Sequence, residues 1–198
     1  METTAKRHVH IYTEASPNPN SLKFVFNFMI TPEGKDFNFV SGESTEQSPL
    51  ARLLFEKQDW IEQVFFMNNF LTLTKKSDLD WFELIGEVKP FLLQYFEDKN
   101  PIFAFSSDAE MEAAIESFQG ETDIEKQIVQ ILDEYVKPAV EGDGGAIAFR
   151  SFTDGVVNLE LRGSCSGCPS SLVTLKQGIE NLLTRMVPEV KEVVATNM

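Results

Sequence analysis

Polar and apolar residues alternate over much of the first third of the chain. Residues 8–15, HVHIYTEA, read as a strand. After a Pro/Asn turn from Ser16 to Asn20, the stretch Ser21 to Phe28 puts Leu22, Phe24, Phe26 and Phe28 on one face, the pattern of a half-buried strand. Glu33-Gly34 turns the chain into a shorter strand, Asp36 to Val40. The period then changes. Ser48-Pro49 is a helix start, with Leu50, Leu53 and Leu54 on the inner face of a helix running to about Lys57. Trp60–Met67 and Phe70–Lys75 form a hairpin across Asn68-Asn69. Asp78 to Asp98 carries Trp81, Leu84, Ile85, Val88, Leu92 and Phe96 at helical spacing, with Pro90 expected to bend or interrupt it.

A second unit follows the acidic stretch 107–120. Thr122 and Glu125 have capping-box spacing, and the helix they open carries Ile124, Ile128, Ile131, Leu132 and Tyr135 and should end near Pro138. Gly142-Asp143-Gly144-Gly145 is a sharp turn. Ala146–Phe152 and Val156–Arg162 pair as a hairpin around Asp154-Gly155. Leu172, Leu175, Ile179, Leu182 and Met186 then mark a helix closed by Pro188, and Glu189 to Thr196 is a last strand. The fold class is α+β. Two small sandwich-like domains are expected, each a mostly antiparallel or mixed sheet with helices packed on one face. They occupy residues 1–106 and 121–198, joined by the acidic linker 107–120.

Composition narrows the function classes. The 198 residues include 17 phenylalanines, crowded into the first two thirds, so aromatic packing should dominate the N-terminal core. The net charge is −14 and no segment is basic, which argues against nucleic acid and against anionic membrane surfaces. No apolar run is long enough to cross a membrane, and no targeting pattern is recognisable at the N-terminus. A cytoplasmic, reducing setting is the expectation. No Ser/His/Asp set, P-loop or carboxylate pair supports hydrolysis or phosphoryl transfer, and the chain is not read as an enzyme.

The chemistry sits in Gly163-Ser164-Cys165-Ser166-Gly167-Cys168-Pro169-Ser170-Ser171, which holds both cysteines of the chain. Between a strand end and a helix start, the two thiols should have lowered pKa values, and the glycine-lined loop offers backbone N–H groups to sulfur. A tetrahedral zinc site or an iron–sulfur cluster takes four protein ligands. The only histidines, His8 and His10, lie at the other end and read as a solvent-facing strand edge. A full thiolate set therefore needs two chains, that is, a homodimer with the centre between subunits. Three readings remain open on these residues: a cluster carrier, a CxxC dithiol oxidoreductase, and a zinc-bridged structural dimer. The tight hairpin before the motif fits a thioredoxin-type site poorly.

The stretch from Ile128 to Met186 resembles the NifU C-terminal (Nfu-type) iron–sulfur domain. The matching pieces are Lys137-Pro138-Ala139-Val140, Asp143-Gly144-Gly145, the cysteine loop, Thr174-Leu175-Lys176 and Gly178-Ile179-Glu180. The first half is similar to the N-terminal domain of two-domain Nfu proteins through Asn18-Pro19-Asn20, Lys23-Phe24, Ser48-Pro49-Leu50-Ala51, Leu54-Phe55, Val64-Phe65-Phe66 and Thr72-Leu73-Thr74-Lys75. The resemblance implies a scaffold or carrier that binds a [4Fe-4S] cluster between two subunits through Cys165 and Cys168 of each. It implies upstream cluster-assembly proteins as donors and apo iron–sulfur proteins as acceptors. One departure is visible: where the family usually has an acid after the glycine pair, this chain has Ala146.

Overall fold

The computed structural model describes residues 8–76, 78–105, 110, 120–166 and 169–197. Most of the linker stretch 107–120, and Gly167 and Cys168 of the cysteine loop, lie outside the described residues.

The N-terminal unit is a five-stranded antiparallel sheet in the order β1-β2-β5-β4-β3. The strands are β1 (Ile11–Ala15), β2 (Ser21–Phe26), β3 (Asp36–Val40), β4 (Ile61–Met67) and β5 (Phe70–Lys75). The hairpin β4–β5 lacks glycine, and Asn68 takes the left-handed conformation (φ 49°) instead, which asparagine tolerates. Two helices cover one face, α1 (Pro49–Lys57) and α2 (Trp81–Glu97). Ser48 caps α1 by accepting from the Ala51 N–H at 3.1 Å. Pro90 does not interrupt α2. Val88, Leu92, Tyr95 and Phe96 are buried on both sides of it, and that packing outweighs the one backbone bond proline removes. The core between helices and sheet is aromatic: Phe26, Phe28 and Phe96 form one group, and Phe37, Phe66 and Phe103 another.

The second unit has a three-stranded sheet of β6 (Gly145–Thr153), β7 (Val156–Gly163) and β8 (Glu192–Asn197), with β7 central, antiparallel to β6 and parallel to β8. The β6–β7 turn has positive φ at Asp154 and Gly155, as the Asp-Gly pair predicts. The helices are α3 (Asp123–Ile131), α4 (Lys137–Gly142) and α5 (Pro169–Met186). The capping box is present, with Glu125 Nα–H donating to Thr122 Oγ1 at 3.2 Å and Thr122 N–H donating to Glu125 Oε2 at 3.0 Å. The first helix does not end near Pro138. A π-helical turn at Leu132–Val136 joins α3 to α4, and Pro138 sits in the first turn of α4. Widening the turn relieves the clash a proline ring makes with the preceding turn, so the chain stays helical.

The expectation of a half-buried β2 is overturned. All six residues of β2 and all six of β5 are buried, because the second face of the five-stranded sheet is covered by the C-terminal unit. Val25, Phe65, Met67 and Phe70 on that outer face pack with Ala146 of β6. The alternation correctly separates the two faces; it does not show that the polar one is dry.

Candidate functional site

Strand β7 ends at Gly163 and delivers Ser164, Cys165 and Ser166 into a tight turn. Gly163 has a φ of +65°, and a side chain there would stand 2.8 Å from Gly144 O and from the Phe65 ring. Gly145, paired with Gly163 across β6–β7, leaves room for sulfur: a Cβ on it would lie 2.8 Å from Cys165 Sγ. The turn is held by Ser164 Oγ donating to Asp143 O (2.6 Å), Ser164 N–H to Gly144 O (3.2 Å) and Ser166 N–H to Gly163 O (3.1 Å). The Gly/Asp/Ser pattern thus builds a cradle whose only soft donor among the described residues is Cys165.

That thiol is free and buried, 9% exposed. Burial pushes its pKa up to about 11; the Ser164 hydroxyl opposes the rise and the Asp143 charge adds to it. The expectation of a lowered thiol pKa is therefore wrong for Cys165. The residue precedes α5 by several positions, so desolvation dominates over the helix N-terminus. Cys168 lies outside the described residues. His8 and His10 are exposed, in keeping with an edge. Among the described residues no group of three or more His, Cys, Asp or Glu side chains could hold a metal ion.

The cavity beside Cys165 has a volume of about 460 Å³ and is walled by both units: Pro17 and Asn18 on one side, Val140, Asp143, Cys165 and Leu175 on the other. Asn18 Nδ2 donates to Ser164 O (3.1 Å) and Ser166 O (3.4 Å). Ser166 Oγ bonds Gln63 Oε1 at 2.7 Å. Thr72 Oγ1 donates to Gly144 O at 2.8 Å, and Lys23 Nζ to Gly142 O at 3.2 Å. Beyond them, Arg162 pairs with Asp36 at 3.0 Å and, on its own unit, with Glu160, which also pairs with Arg150. Burial pushes the Glu160 carboxyl up, but the two arginines outweigh it and hold it below the usual range. Asn18, Lys23 and Thr72 fall in stretches that match the family's N-terminal domain, yet that match assigns them no such contact, and Gln63 lies outside those stretches. Each sits in a turn or on the polar side of a strand, where solvent is the default reading.

The residues that donate to and line this loop fit a soft, thiolate-bound group only in part. The room that the glycines leave around the sulfur suits it, whereas a protonated, covered thiol does not, and the Ser164 and Ser166 N–H groups are already spent on Gly144 O and Gly163 O.

Comparison with known proteins adds three findings. The family described as a NifU-like domain matches residues 128–194, and the one described as scaffold protein Nfu/NifU N terminal matches residues 11–99. A protein of Drosophila persimilis, "NFU1 iron-sulfur cluster scaffold homolog, mitochondrial", is 37% identical over 193 residues, covering 98% of this chain and 67% of its own length. Its counterpart in Drosophila sechellia is 36% identical over the same span. The solution structure of a NifU-like protein from Saccharomyces cerevisiae aligns with a TM-score of 0.46 at 22% identity, over 52% of this chain and 92% of that one.

Proposed function

The chain belongs to the Nfu family of iron–sulfur cluster scaffold proteins, and from that premise we propose that it carries a [4Fe-4S] cluster between two copies of itself and passes it to apo-proteins. The cluster is cargo, received from upstream assembly proteins and given up to acceptors. Cys165 and Cys168 of each copy are its ligands. The observation that carries this reading is that the chain has only two cysteines, both on one glycine-lined loop, which makes half of a four-thiolate site. The protein holds and hands over the cluster and catalyses no reaction of its own. The reading requires a reducing compartment, either the cytoplasm expected from the sequence or the mitochondrial setting in the relatives' names.

Anaerobic reconstitution with iron and sulfide tests it. The expected product is a brown dimer with about four iron and four sulfide per pair of chains, able to restore an apo-enzyme that needs a [4Fe-4S] cluster. Cys165→Ser and Cys168→Ser should each abolish uptake. Stoichiometric zinc without sulfide in protein from iron-replete cells would favour the zinc-bridged dimer instead. Insulin reduction lost in Cys165→Ser would favour the dithiol oxidoreductase, a reading the raised thiol pKa counts against.

A further inference from the structure

We propose that the outer face of the five-stranded sheet is a cap for the chain's own cysteine loop, and that the capped chain and the cluster-bearing dimer exclude one another. The proposal rests on the reading that the loop holds a cluster shared between two chains. It adds a closed state that must open before loading.

Three observations carry it. The first is the set of buried polar side chains on the N-terminal unit that end on the cysteine side of the other unit. Asn18 donates to the carbonyls on either side of Cys165, Thr72 to Gly144 O, and Lys23 to the carbonyls of Glu141 and Gly142. Asn18 and Thr72 are 2% and 0% exposed. These bonds recognise the backbone shape of the turn, so they are specific to this segment and lost if it moves.

The second is fit. Positions 144 and 163 must be glycine for a reason beyond their positive φ. A Cβ at Gly144 would meet Thr72 Oγ1 at 2.9 Å and one at Gly163 the Phe65 ring at 2.8 Å. Ala146 is buried under Val25, Phe65, Met67 and Phe70, where a larger, charged side chain would have to displace apolar neighbours and shed its hydration. The third is access. The cavity beside Cys165 takes one wall from Pro17 and Asn18, and the thiol itself is only 9% exposed, so little of the sulfur faces a second chain. For Cys165 to be shared with a second chain, the Asn18 turn has to move away. The contact is suited to parting, since among the described residues its apolar part is a small cluster beside hydrogen bonds and the Arg162–Asp36 ion pair, which water can replace.

Two labels on the full-length chain read the state. One is alkylation of Cys165 by iodoacetamide; the other is acetylation of Lys23, an amine on the opposite side of the contact. Both are followed by peptide mass spectrometry, with short peptides of the same sequence as references. In the apo chain both groups should react at least about tenfold more slowly than in the peptides. Thr72→Arg on one unit and Ala146→Glu on the other should each raise both rates together by about tenfold or more. Asn18→Ala, a smaller change, should raise them less, and serves if a bulky variant loses its circular dichroism. Cluster-loaded wild type should show Lys23 reacting as in the opened variants. Apo wild type labelled at peptide rates overturns the cap. Lys23 still protected in the loaded dimer overturns the exclusion. A chain that takes up no iron and sulfide even in the opened variants, with Cys165 reactive, removes the cluster reading and the exclusion with it; the cap then stands or falls on the apo labelling alone.

Discussion

The inner face of the five-stranded sheet meets α1 and α2 through fully buried leucines and phenylalanines such as Leu50, Leu54, Phe66, Leu73 and Leu92. Its outer face meets the other unit through Lys23, Gln63, Thr72 and a few apolar side chains. Both faces are dry, yet the first is a folding core and the second a contact of polar groups fitted to backbone carbonyls and glycines. Burial alone does not distinguish them. What each would lose on exposure does: apolar area on one side, replaceable hydrogen bonds on the other.

The contrast breaks most visibly at the inner face. Phe66→Ala removes a ring with no exposure that packs edge-on against Phe39 and Phe103, and should cost about 3–5 kcal/mol in denaturant unfolding of the N-terminal unit. A loss below about 1 kcal/mol would mean that the two faces are energetically alike. Next comes pH. The folded Cys165 thiol titrates near 11, above its ordinary value of 9.0. A raised value means the stabilisation is fully present below the unfolded pKa and is lost as pH climbs from about 9 to about 11. About 2–3 kcal/mol should disappear over that window, seen as a falling melting temperature whose pH slope flattens in Cys165→Ala.

Asp36→Asn tests the ion pair across the units. Arg162 keeps Glu160, so the loss should be about 1–2 kcal/mol, and high salt should narrow the gap to wild type. The smallest effect belongs to Thr72→Val. Gly144 O still accepts from the Ser164 N–H, so no carbonyl is orphaned and the cost should be about 0.5–1.5 kcal/mol by the same melting assay. If Thr72→Val cost as much as Phe66→Ala, the distinction between core and contact would collapse.

Much of this architecture is legible in residue order. The alternation in Ser21–Phe28, the Asp154-Gly155 turn and the Thr122/Glu125 cap each have one physical cause acting over a few residues. The cysteine loop is legible for the same reason. The misreadings share a different cause. Lys23, Thr72 and Thr74 look solvent-facing because alternation reports polarity, and polar side chains bury well when carbonyls from elsewhere meet them. The motif alone points to a lowered thiol pKa because the apolar core that buries Cys165, with residues such as Ile128 and Ile179, is drawn from elements far from it in sequence. Pro138 signals a helix end only where no π-helical turn accommodates it.

Asn18 and the carbonyl of Ser164 are separated by 146 positions. A ribosome therefore completes every strand of the five-stranded sheet well before it adds the first cysteine, and units of a chain fold as they emerge. The thiol is born next to a finished surface that fits it. Its exposure to stray metal and oxidant is thus shortest at the stage of synthesis, before any partner copy exists to share it.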